Sequence, residues 1–375
     1  MSSLRLAVYY SAAFAVIGVH LPFWPVWLSA RGLDAEEIGI IIAVGIGVKV
    51  FANPLIAHVA DRLGERRRLM VVLAVLSLAG YALFSLAYDF WSILGVTVLF
   101  FIVWAPIMPL GESLTMLTGR AEKIDYGRIR LWGSLTFIIS SVGVGYLLVG
   151  HDQNLILWLI LAGIAMTAVS AWFVPDTRAP ATPGERPAIL EVFSDRRFLL
   201  FVIAATLIQA SHGVYYTFGT IHWQQAGYSE DVIGWLWAEG VAAEIVLFAF
   251  GNRIVSRIGP ARLMTLAGLL GTLRWIGTGL TDSLGALIIF QALHAFTFAA
   301  THLGAIHFMA SRIDPRHSAT AQSVYSAVVM GLGLGLAAFA AGHLYAAFAG
   351  RAYLAMAVMT CIGSAVAFSL RRRRG

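Results

Sequence analysis

Several side chains that could do chemistry in this chain stand inside long apolar segments. They are Lys49, Glu112, Arg130, Glu244, Arg274, His294 and His302. An ionisable group within a membrane-spanning helix costs about 3 kcal/mol or more unless it is paired or hydrated, so each one marks a candidate functional site. Cations, carboxylates and imidazoles together can bind anions and move protons.

Two of these groups occupy equivalent positions in an internal repeat. A shift of 195 residues pairs Lys49 with Glu244, and it also aligns four apolar landmarks along the chain. The aligned landmarks are Gly18 with Gly213, Phe23 with Phe218, Gly32 with Gly227 and Gly39 with Gly234. Duplicated halves of apolar helices are typical of secondary transporters. A structural salt bridge between Lys49 and Glu244 is the alternative explanation of this pair.

The other intramembrane charges suggest a proton site. Glu244, Arg274 and His302 are its predicted members, and His294 lies eight residues before His302, on roughly the same helix face. A histidine titrates near neutral pH, and burial moves the pKa of a carboxyl toward the same range. Helix-packing hydrogen bonds are the alternative role of each histidine.

The composition predicts an all-α membrane protein. Apolar residues make up 59% of the 375 residues and charged residues 12%, whereas a soluble domain carries about 25% charged residues. A single cysteine excludes an intrachain disulfide and a cysteine metal cluster. The histidines have no further ligands at metal spacing, and no phosphate-binding loop of the ATPase type is present. We therefore expect no metal, no cofactor and no ATP.

Apolar runs long enough to cross a bilayer core of about 30 Å recur twelve times. They lie near 6–28, 37–59, 69–88, 91–115, 127–149, 154–174, 197–223, 231–252, 263–281, 284–309, 319–345 and 351–370. The long polar segment 175–196 separates six runs from six. We predict an N-terminal six-helix bundle over 1–174, a cytoplasmic linker over 175–196 and a C-terminal six-helix bundle over 197–375.

The basic residues support this arrangement of spans. If the N-terminus is cytoplasmic, 22 of the 26 Lys and Arg residues fall in cytoplasmic segments, as the positive-inside rule expects. Both termini are then predicted to be cytoplasmic. This placement accounts for the net charge of +6 without nucleic acid as a partner.

A polar loop follows the second span of each half. Asp61-Arg62-Leu63-Gly64, with Arg66–Arg68, is echoed by Ser256-Arg257-Ile258-Gly259. The first copy resembles the loop motif of the major facilitator superfamily, although Ala57 stands where the motif has its first glycine. The resemblance implies a gating role for Asp61, Arg62, Gly64, Arg257 and Gly259. The alternative is that the arginines only anchor the topology.

Longer motifs resemble the phenyl propionate permease family within that superfamily. They include Leu21-Pro22-Phe23-Trp24-Pro25, Asp125-Tyr126-Gly127-Arg128 and His212-Gly213-Val214-Tyr215-Tyr216. The sequence is also distantly similar to lactose– and nucleoside–proton symporters. The resemblance implies a major facilitator fold of two pseudo-symmetric six-helix bundles in the bacterial cytoplasmic membrane.

The implied activity is proton-coupled uptake of a small aromatic carboxylate, such as 3-phenylpropionate, by alternating access. Lys49, Arg130 or Arg274 is then expected to meet the carboxylate, and Glu112 or Glu244, with His302 or His294, to carry the proton. Glu112 and Arg130 match a carboxylate and an arginine that contact substrate in the lactose symporters; a clamp between two helices is the alternative. The tyrosines on the first and seventh spans are expected to contact the solute ring. They are Tyr9, Tyr10, Tyr215 and Tyr216.

Two alternatives remain from the sequence. One keeps the fold and changes the solute to a nucleoside, a sugar or an exported compound. The other is a membrane receptor or assembly factor without transport, which leaves the intramembrane charges without a role.

Overall fold

The structure is a computed structural model that describes residues 1–178, 195–313 and 318–370, and within them it is helical throughout. The helices of the first half are α1 Ser2–Ala30, α2 Ala35–Leu63, α3 Arg66–Ala82, α4 Phe90–Trp104, α5 Ile107–Glu122, α6 Tyr126–Leu148 and α7 Asn154–Phe173. Those of the second half are α8 Arg196–Ala210, α9 Gly213–Gln225, α10 Glu230–Ala249, α11 Gly251–Ile258, α12 Pro260–Leu280, α13 Leu284–Ala292, α14 Thr301–Arg312, α15 Ser318–Val324, α16 Leu334–Phe348 and α17 Tyr353–Ser369.

The helices form twelve membrane spans in the part of the chain that the structure describes. Eleven helical runs are long and apolar enough to cross a bilayer, and the last of them, Thr320–Ser369, has 50 residues. A 50-residue helix is about 75 Å long, more than twice the thickness of a bilayer core. This run is broken at Ala349, where φ is 48° and ψ is −131°, so it supplies two spans. The prediction of an all-α membrane protein with twelve spans is confirmed.

Acidic side chains begin several of the helices. The Asp34 carboxylate accepts the N–H of Glu37, and the Glu37 side chain accepts the N–H of Asp34, which together cap α2. Asp89 caps α4 in the same way through Ser92. Hydrogen bonding from Ser92 holds the pKa of the exposed Asp89 carboxyl below its usual range. These caps set the residues at which the α2 and α4 spans begin.

The chain divides into two compact units. One consists of Met1–Gly184 with Tyr228–Ala238, and the other of Glu185–Gly227 with Glu239–Gly375. In the first unit α1 packs extensively against α6, and in the second α12 packs against α17. The predicted boundaries at 175 and 196 stay a prediction. Residues 179–194 of that linker lie outside the described residues, as do Arg186, Arg316 and Arg371–Arg374 of the predicted cytoplasmic charges.

The repeat of 195 residues reappears in the helix packing. A Cβ on Gly18 of α1 would lie 2.8 Å from the carbonyl oxygen of Phe137, and a Cβ on Gly213 of α9 would lie 2.8 Å from that of Ala337. Each glycine therefore lets its helix approach a neighbouring backbone closely, as small residues do in membrane bundles. The positions that the sequence shift aligns thus have the same packing role in both units.

A glycine with a positive φ precedes both α3 and α12. Gly64 has φ 66° and Gly259 has φ 81°, values that L side chains rarely adopt. Gly64 ends α2 by donating its N–H to the carbonyl of Ala60 at 2.9 Å. The two polar loops singled out in the sequence therefore both place glycine at a positive φ, but the turns differ, because ψ is 2° at Gly64 and 154° at Gly259.

We expect Gly18→Ala and Gly213→Ala each to destabilise the protein by about 1–3 kcal/mol, because the added methyl overlaps a neighbouring backbone. Gly47→Ala is the matched control, since a Cβ there would meet nothing within 4 Å. Thermal unfolding in detergent measures the three changes. Equal melting temperatures for Gly18→Ala and Gly47→Ala would contradict the packing argument.

Candidate functional site

A cavity of about 330 Å³ lies inside the first unit, between α1, α2, α4 and α5. It is lined by Ala13, Val16, Ile17, His20, Leu21, Lys49, Asn53, Phe101, Trp104, Ala105, Ile107, Met108 and Pro109. None of these lining residues is acidic. The volume falls in the usual range for small-molecule sites, about 300–1,000 Å³.

Lys49 is the charged residue of this cavity. Its Nζ lies 4.9 Å from the centroid of the Phe101 ring, a cation–π contact. Among the described residues, no carboxylate forms an ion pair with it. A partly buried ammonium with ring contact and no counter-ion is suited to bind an anion.

His20 is a second basic group at the cavity, and the sequence analysis missed it. Its ring stacks on Trp24 at 5.4 Å and meets Phe101 edge-on at 5.9 Å. The criterion that selected Lys49, an ionisable residue within an apolar span, applies equally to His20. Asn53 also lines the cavity and adds a neutral polar group.

The two predicted tyrosines of the first unit, and the pair Glu112 and Arg130, lie outside the lining of this cavity. Tyr9 is fully buried and donates its hydroxyl to the carbonyl of Ile107 at 2.8 Å, and Tyr10 is fully buried beside it. Neither ring lines the cavity. Glu112 and Arg130 are within electrostatic range of each other but form no ion pair in the described structure. The Arg130 guanidinium lies over the Phe14 ring at 4.0 Å.

The second unit contains a buried ionic network. His294 Nε2 lies 2.8 Å from Glu244 Oε1, and His294 Nδ1 lies 3.0 Å from Arg274 NH1. Arg274 is fully buried. The imidazole therefore bridges a carboxylate and a guanidinium within the apolar spans. Such an arrangement can hold a proton on the carboxylate or release it.

Polar side chains surround the guanidinium of Arg274. Its NH2 donates to Gln291 Oε1 at 2.9 Å, and Gln291 Nε2 donates to the Tyr215 hydroxyl at 2.9 Å. The guanidinium carbon lies 4.2 Å from the Trp275 ring centroid and 4.8 Å from that of Tyr215. Tyr215 thus belongs to the Arg274 site, and Gln291 is a member that the sequence analysis had not assigned to a site.

Tyr216 contacts the other end of the same cluster. Its ring stacks on His212 at 5.2 Å with an interplanar angle of 21°. His212 is fully buried, and its Nε2 lies 3.0 Å from the Thr297 hydroxyl. The sequence analysis named His212 only as part of a motif.

His302 does not join Glu244 and Arg274 directly. Its Nδ1 lies 3.3 Å from the hydroxyl of Tyr325. Eight residues of helix are about 12 Å long, so His294 and His302 face different partners at different depths. The backbone between them is a π-helical segment, Ala295–Ala300, and a second one, Tyr325–Gly333, begins at the partner of His302. Such segments are frequent at functional sites.

The first polar loop is held by an ion pair. Asp61 Oδ1 lies 2.6 Å from Arg66 NH2, and Arg66 Nε donates to the Ser113 hydroxyl of α5 at 2.8 Å. Arg66 is buried, while Arg62 and Arg257 are exposed. The loop therefore ties the ends of α2 and α3 to α5. The gating role of Asp61, Arg62, Gly64, Arg257 and Gly259 stays a prediction.

Twelve spans in a duplicated fold, with charged groups buried inside it, define a multi-pass membrane transporter. Residues 3–355 match the MFS_1 like family, so the chain belongs to this family of major facilitator transporters. It is a secondary transporter of small solutes and not an enzyme. The resemblance to the major facilitator superfamily that the sequence motifs indicated is confirmed.

The chain is similar to several individual transporters. A probable 3-phenylpropionic acid transporter of Escherichia coli (strain K12) is 34% identical over 354 residues, which are 92% of this chain and 91% of that protein. A maltose permease of Geobacillus stearothermophilus is 26% identical over 98% of this chain and 94% of its own length. The crystal structure of the nucleoside transporter NupG has a TM-score of 0.85 over 98% of this chain and 98% of that chain, at 15% identity. At that identity the likeness shows the major facilitator fold.

We expect Asp61→Ala to lower the stability by about 1–3 kcal/mol, because it leaves the buried Arg66 guanidinium without its carboxylate. Arg62→Ala, which removes an exposed charge in the same loop, is the control and should change the stability by about 0.5 kcal/mol or less. Thermal unfolding in detergent compares the two. Equal changes in melting temperature would show that the ion pair does not hold the loop.

Proposed function

We propose that this transporter takes up a small aromatic carboxylate together with protons by alternating access. The observation that carries the proposal is the cavity around Lys49, which presents an ammonium group and aromatic rings and is lined by no acidic residue. An aromatic acid supplies the missing negative charge and an apolar ring. The E. coli relative, a probable 3-phenylpropionic acid transporter, supports 3-phenylpropionate as the first solute to test.

The cavity suits the two ends of such a solute. The ammonium of Lys49 can donate a charge-assisted hydrogen bond to the carboxylate, with His20 as a further polar partner. Phe101, Trp104 and Met108 offer apolar surface to the ring. Arg130 and Arg274 are weaker candidates for the carboxylate, because the first stacks on Phe14 and the second already has several hydrogen-bond partners.

Proton coupling is assigned to the network of Glu244, His294 and Arg274. Among the described residues of the second unit, the His294 imidazole contacts both the Glu244 carboxylate and the Arg274 guanidinium within the apolar spans. Glu112 and His302 remain further candidates for the proton. The proposed location is the bacterial cytoplasmic membrane with both termini cytoplasmic, which the distribution of Lys and Arg supports.

Purified protein in liposomes should accumulate labelled 3-phenylpropionate when an inward proton gradient is imposed. Unlabelled 3-phenylpropionate should compete, and the neutral amide of the same acid should compete at least tenfold less well, because it lacks the charge that Lys49 recognises. Empty liposomes and a proton ionophore are the controls. Uptake of nucleosides or sugars, with no uptake of the acid, would overturn the proposed substrate and favour a neutral solute.

Lys49→Met should raise the Kd for 3-phenylpropionate about ten- to a hundredfold, because a hydrogen bond to a charged group contributes about 1.5–3 kcal/mol. Lys49→Arg, which keeps the charge, should bind more tightly than Lys49→Met. Ligand-induced thermal stabilisation of the purified variants measures both. An unchanged Kd in Lys49→Met would place the carboxylate elsewhere.

A further inference from the structure

Gly45 stands one helical turn before Lys49 on α2, and its lack of a side chain leaves room for the Phe101 ring of α4. A Cβ on Gly45 would lie 2.7 Å from Cε2 and 2.9 Å from Cδ2 of that ring. Both distances are shorter than the separation of about 3.5–4.0 Å at which carbon atoms pack. The ring therefore rests directly on the backbone of α2, and a methyl group at this position would displace it.

The position of this ring decides the shape of the cavity at Lys49. Phe101 lines the cavity, and its ring centroid lies 4.9 Å from Lys49 Nζ. The His20 ring meets it edge-on at 5.9 Å, and the Phe100 ring packs on it at 5.1 Å with an interplanar angle of 65°. Because these two rings hold it from other sides, a ring displaced from Gly45 moves into the cavity, beside the ammonium.

The internal repeat contains the same arrangement in the second unit. The shift of 195 residues pairs Gly45 with Gly240, which stands one turn before Glu244. A Cβ on Gly240 would lie 3.2 Å from His294 Cδ2, and the His294 ring contacts Glu244 at 2.8 Å. In each half, a ring from the fourth span thus packs on a glycine one turn before an intramembrane charge. The recurrence ties this glycine position to the charge beside it.

We infer that Gly45 is a specificity-determining residue of the solute site, because it lets Phe101 pack against α2 and so keeps space open beside Lys49. The inference rests on the proposed function and defines more closely the acids that the site admits. With the solute carboxylate on the ammonium, the carbon that bears the carboxylate lies beside the Phe101 ring. The site therefore admits aromatic acids with a small substituent on that carbon as well as unbranched ones.

Gly45→Ala tests the inference against Gly47→Ala, which adds the same methyl group to the same helix where it would meet nothing within 4 Å. The measured quantity is the Kd for 2-methyl-3-phenylpropionate divided by the Kd for 3-phenylpropionate, each from ligand-induced thermal stabilisation. Gly45→Ala should raise this ratio about tenfold, because one methylene of misfit in an apolar pocket changes affinity by about that factor or more. Gly47→Ala should keep the wild-type ratio, and a general loss of stability changes both Kd values together. Equal ratios in the two variants would overturn the inference.

Phe101→Leu gives an answer where Gly45→Ala folds poorly. The smaller side chain alone should lower the ratio below that of the wild type. Combined with Gly45→Ala, it should bring the ratio back to the wild-type value or below, because the added methyl group then has no ring to displace. A ratio that stays high in the double variant would show that Gly45 does not act through Phe101, and it would overturn the inference.

Alkylation of a lining position measures the cavity without any solute. Cys361→Ser removes the native exposed thiol, and Ala105→Cys places a new one in the cavity lining. The new thiol should react with a maleimide more slowly after Gly45→Ala and at an unchanged rate after Gly47→Ala. Equal rates would overturn the inference. If 3-phenylpropionate stabilises no form of the protein while the difference in alkylation holds, the proposed function fails and the role of Gly45 in shaping the cavity stands.

Discussion

The cost of a charge inside an apolar bundle governs how this protein is built. An ionised side chain within the membrane must have a partner of opposite charge, a set of hydrogen bonds or access to water. The two units meet this requirement differently. Arg274 is fully buried, and its NH1 and NH2 contact protein groups while its Nε has no hydrogen-bond partner among the described residues. Lys49 borders a cavity and has no carboxylate partner among the described residues. The guanidinium of Arg274 is held mainly by protein groups, whereas the ammonium of Lys49 is suited to an anion from outside.

The two arrangements together suggest how solute and proton are linked. In the proposed mechanism, an anion on Lys49 removes one positive charge from the protein interior, and a proton on the network of Glu244, His294 and Arg274 adds one. Loading both leaves the net charge of the spans unchanged, so the loaded and empty proteins face similar electrostatic barriers during alternating access. Loading only one changes that charge by one unit. Coupling then follows from charge balance, without any need for the two sites to touch.

The span count and the duplication could be predicted from the sequence, because apolar length, basic residues and glycine spacing each have a direct physical cause. The shift that aligned Gly18 with Gly213 predicted a shared packing role, which the helix crossings show. The histidine that contacts Glu244 in the second unit could not be predicted. Residue spacing suggested His302 beside Glu244, but depth along the helix places His294 there. His20 could have been found from the sequence, because it is also an ionisable residue within an apolar span, but the sequence does not indicate that it borders the same cavity as Lys49.

In the proposed mechanism, one carboxylate on Lys49 and one proton on the network of Glu244, His294 and Arg274 cross the membrane together without net charge. Proteoliposomes loaded with potassium and treated with a potassium ionophore allow the membrane potential to be set separately from the pH gradient. A pH gradient alone should drive accumulation of 3-phenylpropionate, and a change in potential at a fixed pH gradient should leave the rate unchanged. Accumulation driven by the potential alone would contradict it.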